Sequence, residues 1–339
     1  MDGIDVAKVT GWFEANVPVV APPLHFELIP GGRSNLTYRV TDAGGSSWVL
    51  RRPPLGHVLP TAHDMRREHR IITALGATPV PVPAAVGYCD DPHVNGQPFY
   101  VMGFVDGLVL RDVESAKALE PETRAAASAS LVEVLVAIHA IDPPAVGLAD
   151  LGRNDGYIER QLRRWYGQFQ QSKLREVPAV DEMHDFLVAH IPDQQATTIV
   201  HGDYRLDNCL LGTDGQVQAV LDWEICTLGD PLADLGLLLV YWNDPADSFS
   251  ALGTGVTALP GFLHREELRA LYEARSPRDL SALDFYVAFG YWKLACILDG
   301  VHTRYAMGAM GADGAAWESF GESVVQLADA AKAMAERVG

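Results

Sequence analysis

One stretch constrains this chain more than any other. From Ile199 it reads Ile-Val-His-Gly-Asp-Tyr-Arg-Leu-Asp-Asn-Cys-Leu-Leu, and after a short turn it continues as Leu221-Asp-Trp-Glu224. Leu210-Leu211 and Val217 to Leu221 are strand-like, and Thr213-Asp214-Gly215 between them is a tight-turn signal, so the segment reads as a hairpin. Folding it about Asp214-Gly215 places Asn208 opposite Leu221 and Asp222, with Asp203 in the entering loop. An amide oxygen and a carboxylate then share one end of a rigid ribbon. Such hard oxygen ligands suit Mg²⁺, which takes one or two protein groups and fills its remaining positions with water and phosphate oxygens. A further carboxylate beside them can accept a proton from an attacking hydroxyl. Together these are the parts that phosphoryl transfer needs.

The same residues carry a family resemblance. His201-Gly-Asp-Tyr-Arg-Leu-Asp-Asn208 resembles the H-G-D-x-x-x-x-N catalytic loop of the aminoglycoside phosphotransferase and choline kinase superfamily, small-molecule relatives of the protein kinases. Leu221-Asp-Trp-Glu-Ile-Cys-Thr-Leu-Gly-Asp-Pro-Leu-Ala-Asp-Leu235 is similar to the kinase-like domains found beside or fused to acyl-CoA dehydrogenases. The similarity runs roughly from Leu28 to Met310. It implies an α+β, bilobal, protein-kinase-like fold: an antiparallel five-stranded N-lobe over 1–103 and a mainly helical C-lobe over 104–339. It also implies ATP and Mg²⁺ as cofactors, and Asp234 as a buttress of the catalytic loop.

Composition bounds the alternatives. At 339 residues and 48% hydrophobic the chain can build two lobes around a substantial core. Its 44 acids against 26 Lys plus Arg leave a net charge of −18, which repels nucleic acid and anionic membrane surfaces. Cys89, Cys209, Cys226 and Cys296 are widely spaced, as expected of buried, reduced thiols. The first residues lack a basic region followed by an apolar core, and no apolar run reaches membrane-spanning length. A cytoplasmic protein is expected, whether monomer or homodimer.

The N-terminal third supplies the candidate nucleotide grip. Phe26 to Val40 reads as strand, glycine turn, strand, and Gly31-Gly32 can bring backbone N–H groups close to phosphate oxygens. Gly32 to Tyr38 matches the family's G-x-S-N-x-T-Y, which adds Ser34 and Asn35 to the implied site. Alignment with the family puts Arg51, near the end of the strand Trp48 to Arg52, where most such enzymes carry the phosphate-gripping lysine. Arg keeps the charge and adds a bidentate fork. The helix of Thr61 to Leu75, with Thr61 as its start signal, places Glu68 like the glutamate that pairs with that cation. The strand Pro98 to Gly107 resembles the kinase hinge strand, where main-chain groups around Gly103 and Phe104 would hold adenine and Met102 would line its pocket.

The rest of the chain reads as helical. Leu131, Val134, Leu135 and Ile138 mark one buried stripe, and Asp230 with Pro231 opens another helix as cap and first residue. A basic aromatic patch, Arg160, Arg163, Arg164, Trp165 and Tyr166, reads as a solvated face. On the resemblance, Asp203 takes the acceptor's proton, Asn208 and Asp222 hold the metal, and Arg205 with Asp207 lies within reach of the transferring group. The helix from Asp284 to Tyr305 carries Lys293, His302 and Arg304 among aromatic residues. That balance suits an acceptor with a hydroxyl, an apolar body and an anionic end, a hydroxy acid or hydroxyacyl thioester, ahead of a polycationic aminoglycoside. Two other classes stay open at this level: a metal-dependent hydrolase using His201, Asp203, Asp207 and Asp222, and a non-catalytic nucleotide-binding protein.

Overall fold

The fold is that of a computed structural model, which describes residues 2–30, 35–55, 63–251, 253–307 and 320–338. Helix α1 (Val6–Asn16) is started by the Asp5 side chain, which accepts the Lys8 N–H, and it buries Val9 and Phe13. Then come β1 (His25–Leu28), β2 (Leu36–Thr41), β3 (Ser47–Arg52), α2 (Met65–Leu75), β4 (Ala85–Cys89), the one-turn α3 (Pro92–Asn95) and β5 (Phe99–Gly103). The strands form a single antiparallel sheet in the order β1-β2-β3-β5-β4.

Side chains alternate across this sheet, and the alternation decides which cation can serve a site. Leu50, Phe99 and Val101 join Phe13, Tyr38 and Val40 in one core beneath α1. Val49, Tyr100 and Met102 face the opposite way, into the large core shared with α2 and the helical portion. Arg51, opposite Tyr100 in the register, follows Val49 to that inner face. Arg52 turns outward instead and donates to the carbonyls of Gly3 and Pro53.

The helical portion contains α4 (Val113–Lys117), α5 (Pro121–His139), α6 (Tyr157–Ser172), α7 (Pro178–Ala189), β6 (Thr198–Val200), β7 (Cys209–Leu211), β8 (Val217–Val220), β9 (Thr227–Gly229), α8 (Leu232–Tyr241), α9 (Arg265–Arg275), α10 (Leu283–Ala306) and α11 (Phe320–Ala335). The β7–β8 hairpin forms as read from the sequence, and β6 pairs with β9 on the other side of the intervening loops. Helix α8 is buried along every residue from Leu232 to Val240, so it shows no amphipathic period. It crosses α10 at Gly236, where an added Cβ would lie 2.6 Å from the Tyr286 carbonyl carbon.

Two helix starts differ from expectation. Thr61 lies outside the described residues, and α2 is capped by Asp64, which accepts the Arg67 N–H. Helix α8 begins one residue later than expected, with Pro231 at the cap position and the Asp230 carboxylate accepting the Leu232 N–H. All four cysteines are buried and free. Among the described residues no helix is long and apolar enough to cross a membrane.

Candidate active site

The loop leaving β6 is held open from beneath. Gly202 adopts φ 86°, a conformation that only glycine takes without strain, and this turns consecutive N–H groups toward α8. The buried Asp234 carboxylate accepts from His201 N–H at 2.7 Å and Gly202 N–H at 2.8 Å. From above, Lys293 Nζ on α10 donates to the Gly202 carbonyl at 3.0 Å. His201 is locked as well. Its Nδ1 accepts the Asp203 N–H at 3.2 Å, so the ring proton sits on Nε2 and is donated to the Leu221 carbonyl at 2.8 Å. With both nitrogens engaged, His201 is neither base nor metal ligand here; it ties the loop to the end of β8.

Asp203 heads the loop and is oriented from three sides. Tyr241 O–H donates to its Oδ1 at 2.7 Å, Asn208 Nδ2 to its Oδ2 at 3.0 Å, and Arg205 Nε lies 3.3 Å from that same oxygen. Asn208 Nδ2 also donates to the Asp203 carbonyl at 2.8 Å. That fixes the amide and leaves Oδ1 as its ligand atom. Arg205 bridges to Asp207 at 3.1 Å and lies over the Tyr241 ring at 5.2 Å. Burial raises the Asp207 carboxyl above its ordinary value, with Arg205 opposing. Leu221 N–H donates to the Asn208 carbonyl at 2.8 Å, so the hairpin end does set Asp222 beside Asn208. Asp222 itself has φ 63° and ψ 60°, a left-handed conformation that costs a non-glycine residue and concentrates at functional sites.

The sheet side closes on the same acid. Arg51 Nη2 reaches Asp222 Oδ1 at 2.6 Å and Glu224 Oε2 at 3.6 Å, while Nη1 lies 3.4 Å from Glu68 Oε2. Tyr100 O–H donates to Glu68 Oε2 at 3.1 Å. Asn35 Nδ2 donates to both Glu68 Oε1 at 3.3 Å and Glu224 Oε2 at 3.1 Å, and His63 Nδ1 donates to Asn35 Oδ1 at 2.9 Å. Arg67, beside Glu68 on α2, donates to the carbonyls of Glu224 and Cys226. Helix α2 is thus tied to the second acidic loop through both residues. Burial pushes Glu68 up to about 7, with Asp222 and Glu224 adding and Arg51 opposing. Burial works to lower the Arg51 guanidinium, but Tyr100, Glu68 and Asp222 outweigh it and raise its affinity for the proton.

Asp203, Arg205, Asn208, Asp222, Arg51, Glu68 and Asn35 therefore converge. Gly31, Gly32 and Ser34 lie outside the described residues. Met102 faces the inner side of the sheet, and Phe104 packs on the same core beneath the Arg39 guanidinium at 4.3 Å. The main-chain donors expected for adenine are committed within the sheet: Gly103 N–H donates to Ala84 O at 2.8 Å and Phe104 N–H to Ser47 O at 3.4 Å. Tyr241 and Arg67 were not legible as site residues.

The donor chemistry fits a hard, phosphate-associated cation. Asn208 Oδ1 and the Asp222 carboxylate are oxygen ligands, and Arg51 Nε is buried with no hydrogen-bond partner. Among the described residues no group of three or more His, Cys, Asp or Glu is arranged as a metal centre of its own. A cation here would share its coordination with phosphate and water.

Asp203 also opens onto a cavity of about 310 Å³ between the catalytic loop, α6, α10 and α11. Gly202, Arg205, Tyr241 and Lys293 line its head, and Leu294, Ile297, Leu298, Val301 and Leu327 its far walls. Trp165, expected on a solvated face, lines it too.

The phosphotransferase enzyme family model matches residues 25–277. The chain belongs to this family. It is 36% identical over 291 residues to mouse acyl-CoA dehydrogenase family member 10, covering 84% of this chain and 27% of that protein. It is 37% identical over 282 residues to rat acyl-CoA dehydrogenase family member 11, covering 82% of this chain and 36% of that protein. The chain thus spans well under half the length of these relatives. The structure of a candidate aminoglycoside phosphotransferase from Ralstonia eutropha superposes with a TM-score of 0.84 at 34% identity, covering 99% of both chains. The fold is also shared with aminoglycoside phosphotransferase APH(4)-Ia in complex with AMP-PNP and hygromycin B, at TM-score 0.61 and 14% identity over 96% of this chain and 97% of that one. The α+β, protein-kinase-like phosphotransferase fold implied by the two motifs is the fold of this family member, a kinase-type enzyme.

Proposed function

We propose that this phosphotransferase moves the γ-phosphate of ATP to a hydroxyl of a small acceptor with an apolar body, a hydroxy acid or hydroxyacyl thioester. The observation that carries this reading is the Asp203 carboxylate, oriented by Tyr241 and Asn208, at the head of a cavity whose far walls are apolar. Of the described residues lining that cavity Asp203 is the only acid, whereas a polycationic sugar needs several. The acyl-CoA dehydrogenase names of the relatives point the same way.

In this mechanism Asp203 orients the acceptor hydroxyl and takes its proton as the oxygen attacks the γ-phosphorus. The bond from that phosphorus to the bridging oxygen breaks, and ADP leaves. Asn208 Oδ1 and Asp222 would hold Mg²⁺, which when bound neutralises the phosphate charge. Arg51, positioned by Glu68, grips the phosphates, and Arg205 lies close enough to steady the transferring group. Positioning and charge neutralisation supply the acceleration, without a covalent enzyme intermediate.

Turnover of ATP on 4-hydroxyacyl thioesters against kanamycin-type sugars tests the acceptor, and activity on the sugars alone overturns it. Asp203→Asn tests the chemistry. Transfer is expected to fall by about 10²–10⁴-fold while Mg-ATP binding, measured by calorimetry, stays within about twofold. Transfer that survives the substitution would exclude Asp203 as the base. Tight ATP binding with no turnover on any acceptor would instead favour a non-catalytic nucleotide-binding protein.

A further inference from the structure

Lys293 is a buried cation that the reaction above leaves without a task. It sits 6% exposed on α10, a helix otherwise packed into the core, and lines the cavity that Asp203 heads. An ammonium carries three donors. One goes to the Gly202 carbonyl at 3.0 Å, and the charge lies 5.7 Å from the centre of the Trp165 ring. Burial lowers its proton affinity, opposed by the carboxylates of Asp203 and Asp234. Burying an ammonium costs free energy unless its donors find partners. Holding the loop carbonyl uses one of the three donors and leaves others for an acceptor oxygen in the cavity that Lys293 lines.

The surroundings say where that acceptor comes from. Lys293, Leu294, Ile297, Leu298 and Val301 fall on the face of α10 that lines the cavity, with Leu327 of α11 closing it. From Lys293 to Val301 the helix rises about 12 Å, so the cation marks the polar head of an apolar trough. His302 and Arg304, the other cations of this helix, are absent from the cavity lining.

We propose that Lys293 is a specificity-determining residue, donating to an oxygen of the acceptor (a thioester carbonyl or a carboxylate) that lies a few bonds from the hydroxyl facing Asp203, while the acceptor's aliphatic segment runs along Ile297, Leu298 and Val301. This rests on the proposed acceptor class and deepens it: the hydroxyl alone is not what the site recognises. An acceptor lacking that oxygen leaves a buried ammonium short of a partner, which discriminates far more strongly than a missing methylene does.

The test compares three acceptors of equal chain length, a 4-hydroxyacyl thioester, the free 4-hydroxy acid and the matching alkan-4-ol, which has no oxygen at C1, on the wild type and on Lys293→Met. The wild type is expected to prefer the thioester or the acid over the alkan-4-ol by about 10–100-fold in kcat/KM, as a charge-assisted hydrogen bond predicts. Which of the two it prefers identifies the oxygen. In Lys293→Met that ratio should fall to near one, mainly through KM. Lys293→Gln, which retains an N–H for the Gly202 carbonyl, should lose the preference too, and serves if the Met variant does not fold. Equal losses on all three acceptors would assign Lys293 to loop support and overturn the inference with the acceptor class intact. A wild type that phosphorylates none of the three removes the acceptor reading and this inference together.

Discussion

Replacing Glu68 by Gln separates stability from function at one buried atom. Glu68 is 1% exposed, and its carboxyl is pushed from an ordinary 4.5 to about 7, by burial first and then by Asp222 and Glu224. The folded protein therefore holds this proton more tightly than the unfolded chain. Between those two values the native state binds more protons, so stability falls as pH rises from about 4.5 to 7 and is flat beyond on either side. A shift from 4.5 to about 7 at 1.36 kcal/mol per tenfold in proton affinity amounts to roughly 3 kcal/mol. Arg51 at 3.4 Å, Tyr100 and Asn35 already act on this carboxylate, so that figure contains their help.

Gln has the shape of the protonated acid and does not titrate. Urea unfolding of wild type and Glu68→Gln at pH 5 should give nearly equal stabilities. At pH 8 the variant should exceed the wild type by roughly 2–3 kcal/mol, other titrating groups cancelling in the difference. Nucleotide affinity at pH 8 should move the opposite way, because Arg51 loses a charged partner that orients it. Such a trade of activity for stability is the usual signature of an acid retained for function. Parallel stability curves for the two proteins between pH 5 and pH 8 would refute the reasoning and return Glu68 to the range of an ordinary ion-paired carboxylate.

Three further outcomes follow from the same geometry. Asp234→Ala strands the buried N–H groups of His201 and Gly202 and should cost roughly 2–5 kcal/mol in urea unfolding, with transfer lost as well; a change below about 1 kcal/mol would show that the loop holds itself. Gly236→Ala drives a methyl against the α10 backbone, 2.6 Å from the Tyr286 carbonyl carbon, and should lower stability by about 1–3 kcal/mol; an unchanged melting temperature would mean that the α8–α10 crossing yields freely. Removing divalent cations with EDTA should weaken ATP binding by at least about tenfold in calorimetry, whereas equal affinity with and without metal would remove Asn208 and Asp222 from the phosphate grip.

The hairpin was legible because its turn chemistry and its functional residues are contiguous. Asp214-Gly215 sets the register, and the register alone puts Asn208 beside Asp222. Five strands were legible from their turns, whereas Arg51 was singled out over Arg52 by the family resemblance and not by the turns. Which of the two faces inward depends on strand parity against Tyr100, which fixes Arg51 on the side of Val49. The helices hid more. Tyr241 closes α8, an apolar run buried on all sides, so no period marks its hydroxyl as special. Lys293 stood out as a cation on an aromatic helix, yet nothing local distinguishes it from His302 and Arg304; the packing of α6 and α11 against α10 does. Trp165 was read with its charged neighbours as a solvated face, and the cavity beside Lys293 reverses that for Trp165. Arg67 was masked by its neighbours, since an arginine among arginines on a charged helix shows no preference until its carbonyl partners are in view.

The charges gathered here explain why the two motifs occur together. Among the described residues, Asp203 and Asp207 pair with the Arg205 guanidinium, and Asp222, Glu68 and Glu224 pair with that of Arg51. Such a cluster repels itself and would repel a triphosphate, and side-chain pairing alone does not hold it at close range. The main chain does: Asp234 grips the loop of the first motif, His201 reaches across to the Leu221 carbonyl, and Arg67 grips the carbonyls behind Glu224 and Cys226 in the second. Each acidic loop is thus clamped through its own neutral backbone groups, by side chains of α8, α2 and the first loop itself. On the proposed mechanism a divalent cation would offset the charge that these acids and the triphosphate bring together, and Arg51, paired with Asp222 in this structure, is the residue that the arriving phosphates must draw away from it.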